Sequence, residues 1–206
     1  MDDVTIGGDA ERAAREEIRI RTAATAIGLE LNVNKCKAVS DDISFCNEIS
    51  SILPGCVHVR VTDSCLLGGA IGRSALTSAL RKQIESLSEI EPQLAAIRHH
   101  DALTLIRMSL GHPRAIYELR MSGAYRDPES LTSYDEALRR ATQRAVNTQL
   151  PDAAWVQTCF PLSAGGIGIR RAGDLALAAF LSSVASSDEL ATRLSGTQVD
   201  GERDAA

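Results

Sequence analysis

Leu66-Leu67-Gly68-Gly69-Ala70-Ile71-Gly72 separates two parts of the chain that have different sequence patterns. An apolar segment so rich in glycine is typical of a tight hairpin that another group approaches closely. Before this segment, short alternating stretches surround one long helical pattern, and after it helix-forming residues dominate. We therefore predict an α+β fold, with a partial sheet (strand-helix-strand plus this hairpin) followed by a mostly helical region.

The first part of the chain alternates between helix and strand patterns. Asp9 is suited to cap a helix over residues 10–27, and Gly28 is suited to end it. Alternation of apolar and polar residues predicts three strands, over residues 4–6, 29–37 and 57–61. A short helix over residues 41–53, ended by Pro54-Gly55, is predicted between the last two strands.

The second part reads as a series of helices. They are predicted over residues 74–100 with a kink or break at Pro92, over 101–110, over 114–121, from Ser133 or Asp135 to about 150, and over 174–185. From Ser186 onward the sequence is polar and acidic with few apolar residues. Such a composition predicts a disordered tail.

Composition limits the functional classes that fit this chain. A hydrophobic content of 44% in 206 residues predicts a packed core. A formal charge of −5 and an aromatic content of 3% disfavour a protein that mainly stacks single-stranded bases or neutralises phosphates. The charge is uneven, however, because residues 98–144 hold eight arginines against six acids. That basic stretch either faces a polyanion or is an ordinary solvated helical surface.

The cysteines and the terminal sequence bear on compartment. Five cysteines without zinc-ligand spacing, and without a secretory signal, fit a reducing compartment. The longest apolar run, residues 175–181, is far shorter than the roughly 20 residues that span a bilayer. We therefore expect an intracellular protein of the cytoplasm or nucleus that has no membrane partner.

Several segments in fixed order resemble one enzyme family. Asp2-Asp3-Val4-x-Ile6 is succeeded by a helix, by Gly28-Leu29-x-Leu31-Asn32-x-x-Lys35-Cys36 and by the segment 66–72. This order resembles the catalytic Tyr-x-Asp-Asp hairpin and later palm segments of a reverse transcriptase. Two more stretches are similar to the region beyond the palm in non-LTR retrotransposon proteins: Leu105-Ile106-Arg107-x-Ser109-Leu110-Gly111-x-Pro113-x-x-x-Tyr117-x-Leu119-Arg120, and Trp155-x-Gln157-x-x-x-Pro161-Leu162-x-x-Gly165-Gly166-Ile167-Gly168-Ile169-Arg170.

The resemblance assigns roles to particular residues. It implies that Asp2 and Asp3 bind two Mg²⁺ ions for RNA-directed DNA polymerisation, and that Lys35 lies near the incoming triphosphate. The remaining implied sites are a primer-grip-like segment at Leu67, Gly68, Gly69 and Gly72, and phosphate contacts at Arg107, Arg114 and Arg120. The implied partners are an RNA template and a DNA primer. Simpler alternatives are a surface position for Lys35, a purely structural hairpin, and ion pairs of the arginines with Asp101 and Glu118.

The resemblance also predicts how the chain is organised. Residues 1–72 would be the C-terminal part of a palm, 73–185 a helical thumb and extension, and 186–206 the disordered acidic tail. The fingers, and the family's other metal-binding aspartate, have no counterpart in this sequence, so we expect a truncated domain that is inactive alone. One alternative is an enzyme completed by a second chain that supplies the missing fingers and palm segment. Another is a helical protein- or nucleic-acid-interaction module that kept the fold without catalysis.

Overall fold

The computed structural model describes residues 4–195 and divides the chain into two compact units between Gly68 and Gly69. The described residues are mostly helical with two small two-stranded sheets, which is compatible with the predicted α+β class. No helix within residues 4–195 combines the length and the apolar character needed to cross a membrane.

The first unit contains two helices and a short parallel sheet. Its elements are α1 (Ala10–Ala26), β1 (Lys37–Val39), α2 (Ile43–Ile52) and β2 (Val57–Val59). Asp9 caps α1 by accepting a hydrogen bond from the Arg12 N–H at 2.7 Å, and Gly28 lies just after the helix with a φ of +79°, both as predicted. The strands β1 and β2 are parallel, with Lys37 opposite Val57 and Val39 opposite Val59. The small core of this unit consists of Ala10, Ala38 and Ile49, with Ala13, Phe45 and Cys56 packed against it.

Two of the predicted strands do not form. Residues 4–6 are irregular. The segment predicted as a strand over residues 29–37 contains a short 3₁₀ helix, Val33–Lys35, and only its last residue, Lys37, belongs to a strand. The strand that pairs with β2 lies further along the chain, at β1. Alternation of apolar residues was insufficient here because a strand also needs a hydrogen-bonding neighbour, and Leu29 instead stays 61% exposed.

A β-hairpin leads into the second unit. The strands β3 (Cys65–Leu66) and β4 (Gly69–Ala70) form this two-stranded sheet, which agrees with the predicted hairpin. Leu67 and Gly68 have φ values of +51° and +81°, the left-handed backbone that a tight two-residue hairpin turn requires.

The second unit is a helical assembly. Its helices are α3 (Arg73–Ala96), α4 (His99–Leu105) with a π-helical continuation Ile106–Leu110, α5 (His112–Met121), α6 (Pro128–Val146), α7 (Asp152–Cys159) and α8 (Ala172–Ser195). One core cluster contains Leu76, Leu80 and Leu87 of α3 together with Tyr134 and Leu119. A second cluster contains Leu94, Ile106, Leu138, Trp155 and Ile169. The α3 helix continues past Pro92 to Ala96, so the predicted break does not occur.

Two helix boundaries differ from the sequence prediction. The α6 helix begins at Pro128 rather than near Ser133, because Asp127 caps it by accepting a hydrogen bond from the Ser130 N–H at 3.2 Å and a proline fits the first helical turn. The α8 helix continues to Ser195, into the stretch for which we expected a disordered tail. Leucines at positions 190 and 194 continue its helical pattern. Residues 196–206 lie outside the described residues.

Candidate nucleic-acid interface

The strand β4 packs directly against α5. The Ala70 N–H donates a hydrogen bond to the buried Glu118 carboxylate at 3.1 Å. A Cβ atom at Gly69 would lie 3.2 Å from Cε1 of Tyr117 and 3.3 Å from Cβ of Met121. The absence of a side chain at Gly69 thus lets the strand approach α5. The structure therefore places part of the primer-grip-like segment on the helix that carries two of the predicted arginines.

The four primer-grip-like residues have different structural positions. Leu67 and Gly68 form the exposed turn of the hairpin, and Gly69 is buried in β4. Gly72 precedes α3 as its N-cap residue, and its carbonyl accepts the Leu76 N–H at 3.0 Å.

Arg114, Tyr117 and Arg120 lie at three-residue spacing on α5, and all three are exposed. We call them the α5 strip. Residues three apart on a helix are surface neighbours, so Tyr117 lies between the two arginines along the surface of α5. Ala115, Glu118 and Leu119 occupy the buried face of the same helix. The strip is thus a solvent-facing surface with two positive charges and one aromatic ring.

The ion pairs that the sequence offered for these arginines do not form. Asp101 instead pairs with Arg98, at 2.8 Å, and Glu118 accepts the Ala70 N–H. The Arg114 guanidinium donates to the Ser86 hydroxyl at 3.1 Å. Within residues 4–195, neither Arg107, Arg114 nor Arg120 has an acidic partner.

A second basic group lies where the chain enters α5. The Cδ atom of the half-buried Arg107 lies 3.4 Å from the position of a Cβ atom on Gly168, which has a φ of +80°. Arg170, two residues later, is exposed. Burial lowers the pKa of His112, and the positive charge of Arg170 lowers it further. The segments 105–113 and 155–170 therefore contribute Arg107, His112 and Arg170 to one region of the second unit.

The lowered pKa of His112 predicts a dependence of stability on pH. The unfolded histidine takes up a proton near pH 6.5, whereas the folded one takes it up only at lower pH. Protonation therefore favours the unfolded chain, and the contribution of neutral His112 is lost as the pH falls below 6.5. We expect the free energy of unfolding, measured in urea from pH 7 to pH 5, to fall more steeply in the wild type than in His112→Gln. Equal slopes for the two proteins would contradict this expectation.

The glycine-rich stretch 165–168 has a structural explanation. The Gln157 side-chain amide donates to the Gly165 carbonyl at 2.9 Å. The Ile167 and Gly168 N–H groups donate to the carbonyls of Thr158 and Phe160 at 3.1 and 2.9 Å. These bonds satisfy carbonyl groups at the end of α7, which have no partner inside the helix. The loop therefore folds back over α7 and holds Ile169 in the core.

Gly111 has a similar structural role at the start of α5. A Cβ atom at this position would lie only 2.8 Å from the Ile106 carbonyl oxygen. The Tyr134 hydroxyl donates to the Gly111 carbonyl at 2.9 Å inside the core. Burial raises the pKa of Tyr134, so its hydroxyl remains a donor at all ordinary pH values. This contact fixes the turn that orients the α5 strip.

The three residues predicted for catalysis are not brought together within the described part of the chain. Asp2 and Asp3 lie outside the described residues. Lys35 is exposed at the end of the 3₁₀ helix Val33–Lys35. Across residues 4–195, no group of three or more histidine, cysteine or acidic side chains could hold a metal ion.

Comparison with known proteins adds no assignment. No family model, no curated protein and no solved structure matches this chain. The assignment of the candidate interface therefore depends only on the contacts described above. Sequence patterns identified its arginines, but they did not identify Ser86 as the partner of Arg114 or Ala70 as the partner of Glu118. Those partners lie 28 and 48 positions away in the chain.

Proposed function

We propose that this chain is the rear palm and thumb part of an RNA-directed DNA polymerase of the non-LTR retrotransposon type, and that its second unit binds the RNA–DNA template–primer duplex. The α5 strip supplies the contacts to the duplex backbone. The observation that supports this proposal best is that Arg114 and Arg120 are exposed without acidic partners, within the described residues, beside the docked strand β4.

The first support for the proposal is the position of β4. Gly69 brings the strand backbone against Tyr117 and Met121, and the Glu118 carboxylate holds it there through the Ala70 N–H. The contact with this buried strand holds α5, and therefore the α5 strip, in a defined position. Preorganised contacts of this kind cost less entropy on binding than flexible ones.

The absence of acidic partners for the two arginines is a second support for the proposed duplex binding. An arginine that already pairs with a carboxylate loses that pair when it binds a phosphate, which offsets much of the gain. Arg114 and Arg120 have no such pair to lose within the described residues, and Tyr117 lies between them on α5. Guanidinium groups bind phosphate oxygens in a bidentate manner, so two of them can each neutralise one phosphate.

The proposal predicts a salt-dependent affinity for an RNA–DNA duplex. Each neutralised phosphate contributes about 0.9 to the slope of log K against log salt concentration. We expect the double variant Arg114→Ala/Arg120→Ala to bind a fluorescent RNA–DNA duplex about tenfold more weakly at low salt, with a slope smaller by about two. Fluorescence anisotropy titrations over a series of salt concentrations measure both quantities.

A matched control removes the same charge from arginines that have partners. Arg81 pairs with Glu85 and Arg98 pairs with Asp101, and both side chains are exposed. The double variant Arg81→Ala/Arg98→Ala should retain the slope of the wild type. If the two double variants weaken binding equally, the effect comes from net charge alone and the assignment of the α5 strip is wrong. Failure of the wild type to bind the duplex at low salt would contradict the proposed function as a whole.

The alternative function, a helical interaction module without catalysis, is favoured by one observation. The α8 helix exposes four leucines, at positions 177, 181, 190 and 194. The leucines at 177 and 181 are one helical turn apart, and those at 190 and 194 form a second such pair on the opposite side of α8. Exposed apolar residues of this kind favour binding to another protein. A wild-type chain that fails to bind the RNA–DNA duplex would favour this module over the polymerase.

A further inference from the structure

Cys36 and Cys56 immediately precede the two paired strands of the first unit. The register places Lys37 opposite Val57, so the two cysteines are opposite each other at the start of the ladder. The Val57 N–H donates to the Cys36 carbonyl at 3.0 Å, which continues the pairing to that position. Neighbouring strands are about 4.8 Å apart, a spacing within the range of Cα separations that a disulfide spans.

The two thiols also lie on the same face of the sheet. Side chains alternate between faces along a strand, so Cys36 shares a face with Ala38, and its opposite residue, Cys56, shares that face as well. Cys56 packs against the core cluster of Ala10, Ala38 and Ile49, which agrees with this orientation. Both cysteines are half-buried, and the Cys36 thiol donates to the Asn32 carbonyl at 3.6 Å.

We propose that Cys36 and Cys56 form a reversible intramolecular disulfide when the chain meets a disulfide oxidant such as oxidised glutathione. The thiolate of one cysteine attacks the oxidant and releases one glutathione thiol. The thiolate of the second cysteine then attacks the mixed disulfide and releases the second glutathione thiol, so two protein thiols are oxidised and one disulfide is reduced. This inference is independent of the proposed nucleic-acid interface.

The disulfide would stabilise the first unit under oxidising conditions. It would join the starts of β1 and β2 and close a loop that contains α2. Such a closure restricts the unfolded chain and stabilises the elements inside the loop. In a reducing compartment a disulfide of this kind forms transiently and therefore reports oxidative conditions.

The raised pKa values of the two thiols set the conditions for the experiment. Burial raises the pKa of both Cys36 and Cys56, and because the thiolate is the reacting species, the exchange should accelerate as the pH rises from 7 to 9. A rate that did not increase over this range would contradict the buried arrangement of the pair.

The test uses the intact chain. After incubation with oxidised glutathione, remaining thiols are alkylated and the protein is digested without reduction. Mass spectrometry should find a linked peptide pair that contains Cys36 and Cys56 and has lost two hydrogen atoms. The unfolding temperature of the oxidised chain should rise by several degrees and return after treatment with dithiothreitol.

Single serine variants separate this pair from the other cysteines. Cys36→Ser and Cys56→Ser should abolish both the linked peptides and the shift in unfolding temperature. Cys46→Ser and Cys65→Ser, which alter a half-buried and an exposed thiol of the same unit, should leave both unchanged. Cross-links that mainly involve Cys46 or Cys65, or stable glutathione adducts on Cys36 or Cys56 without a linked pair, would overturn the proposal.

Discussion

Replacing Gly166 by alanine is expected to lower the free energy of unfolding of the second unit by about 3 kcal/mol or more. A Cβ atom at this position would overlap the Phe160 carbonyl oxygen and lie 2.7 Å from that of Gln157. Both are backbone atoms, so no side-chain rotation relieves the overlap. The loop must move, and the hydrogen bonds from Ile167 and Gly168 to the end of α7 break with it.

The only tryptophan of the chain makes this effect measurable. Trp155 lies in α7 and is 6% exposed, so its fluorescence reports directly on the element beneath the loop. Urea unfolding monitored by this fluorescence gives the free energy for each variant. Gly123→Ala is the matched control, because its Cβ atom would meet only the Cδ of Arg126, at 3.6 Å. The control should stay within about 0.5 kcal/mol of the wild type, and a Gly166→Ala protein as stable as the control would contradict the described loop.

Replacing Leu87 by alanine is expected to cost about 3–4 kcal/mol. Leu87 lies on α3 and is fully buried in the cluster that contains Leu119 and Tyr134. Removal of its outer carbon atoms leaves a cavity in the contact between α3 and the helices packed on it, and rigid helices close such a cavity only in part.

The control for this prediction removes the same atoms from an exposed position. Leu190 lies on α8 and is 57% exposed, so Leu190→Ala should change the free energy of unfolding by less than about 1 kcal/mol. Thermal and urea unfolding monitored by circular dichroism measure both variants. If Leu190→Ala were as destabilising as Leu87→Ala, the assignment of the core face of the helices would be wrong.

The helices were predictable from the sequence because their signals are local. Asp9 marks the start of α1 and Gly28 marks its end, and both make contacts with residues no more than four positions away. The start of α6 has an equally local signal in Asp127-Pro128, which indicates a cap and then the first helical residue. The prediction of a later start was wrong because Ser133 and Asp135 are equally suited to cap a helix. The α8 helix continues beyond Ser186 because its leucine pattern continues.

The strands could not be predicted with the same accuracy because each needs a partner from a distant part of the chain. Residues 29–33 have the alternation of a strand, yet the ladder with β2 begins at Lys37. Nothing close to Leu29 in the sequence distinguishes these two possibilities. The hairpin at 66–72 was predictable because its two strands and its turn are contiguous.

For the candidate interface too, the sequence indicated single residues, and the structure decided which of them are partners. Sequence patterns indicated the arginines and the glycine-rich hairpin as separate candidates, and offered Glu118 as an ion-pair partner. The structure instead pairs Glu118 with the Ala70 N–H and leaves Arg114 and Arg120 without an acidic partner in the described part of the chain. The roles implied for Asp2, Asp3 and Lys35 stay predictions.

The sequence by itself determined the helical character of the second unit, the caps of α1 and the hairpin before α3, because each depends on residues a few positions apart. Only the tertiary structure decided which strand pairs with β2, that Gly69 packs on α5, and that Cys36 lies opposite Cys56. These outcomes depend on which distant backbone and side-chain groups satisfy one another's hydrogen bonds and fill the same space, and that competition is settled only when the whole chain is folded.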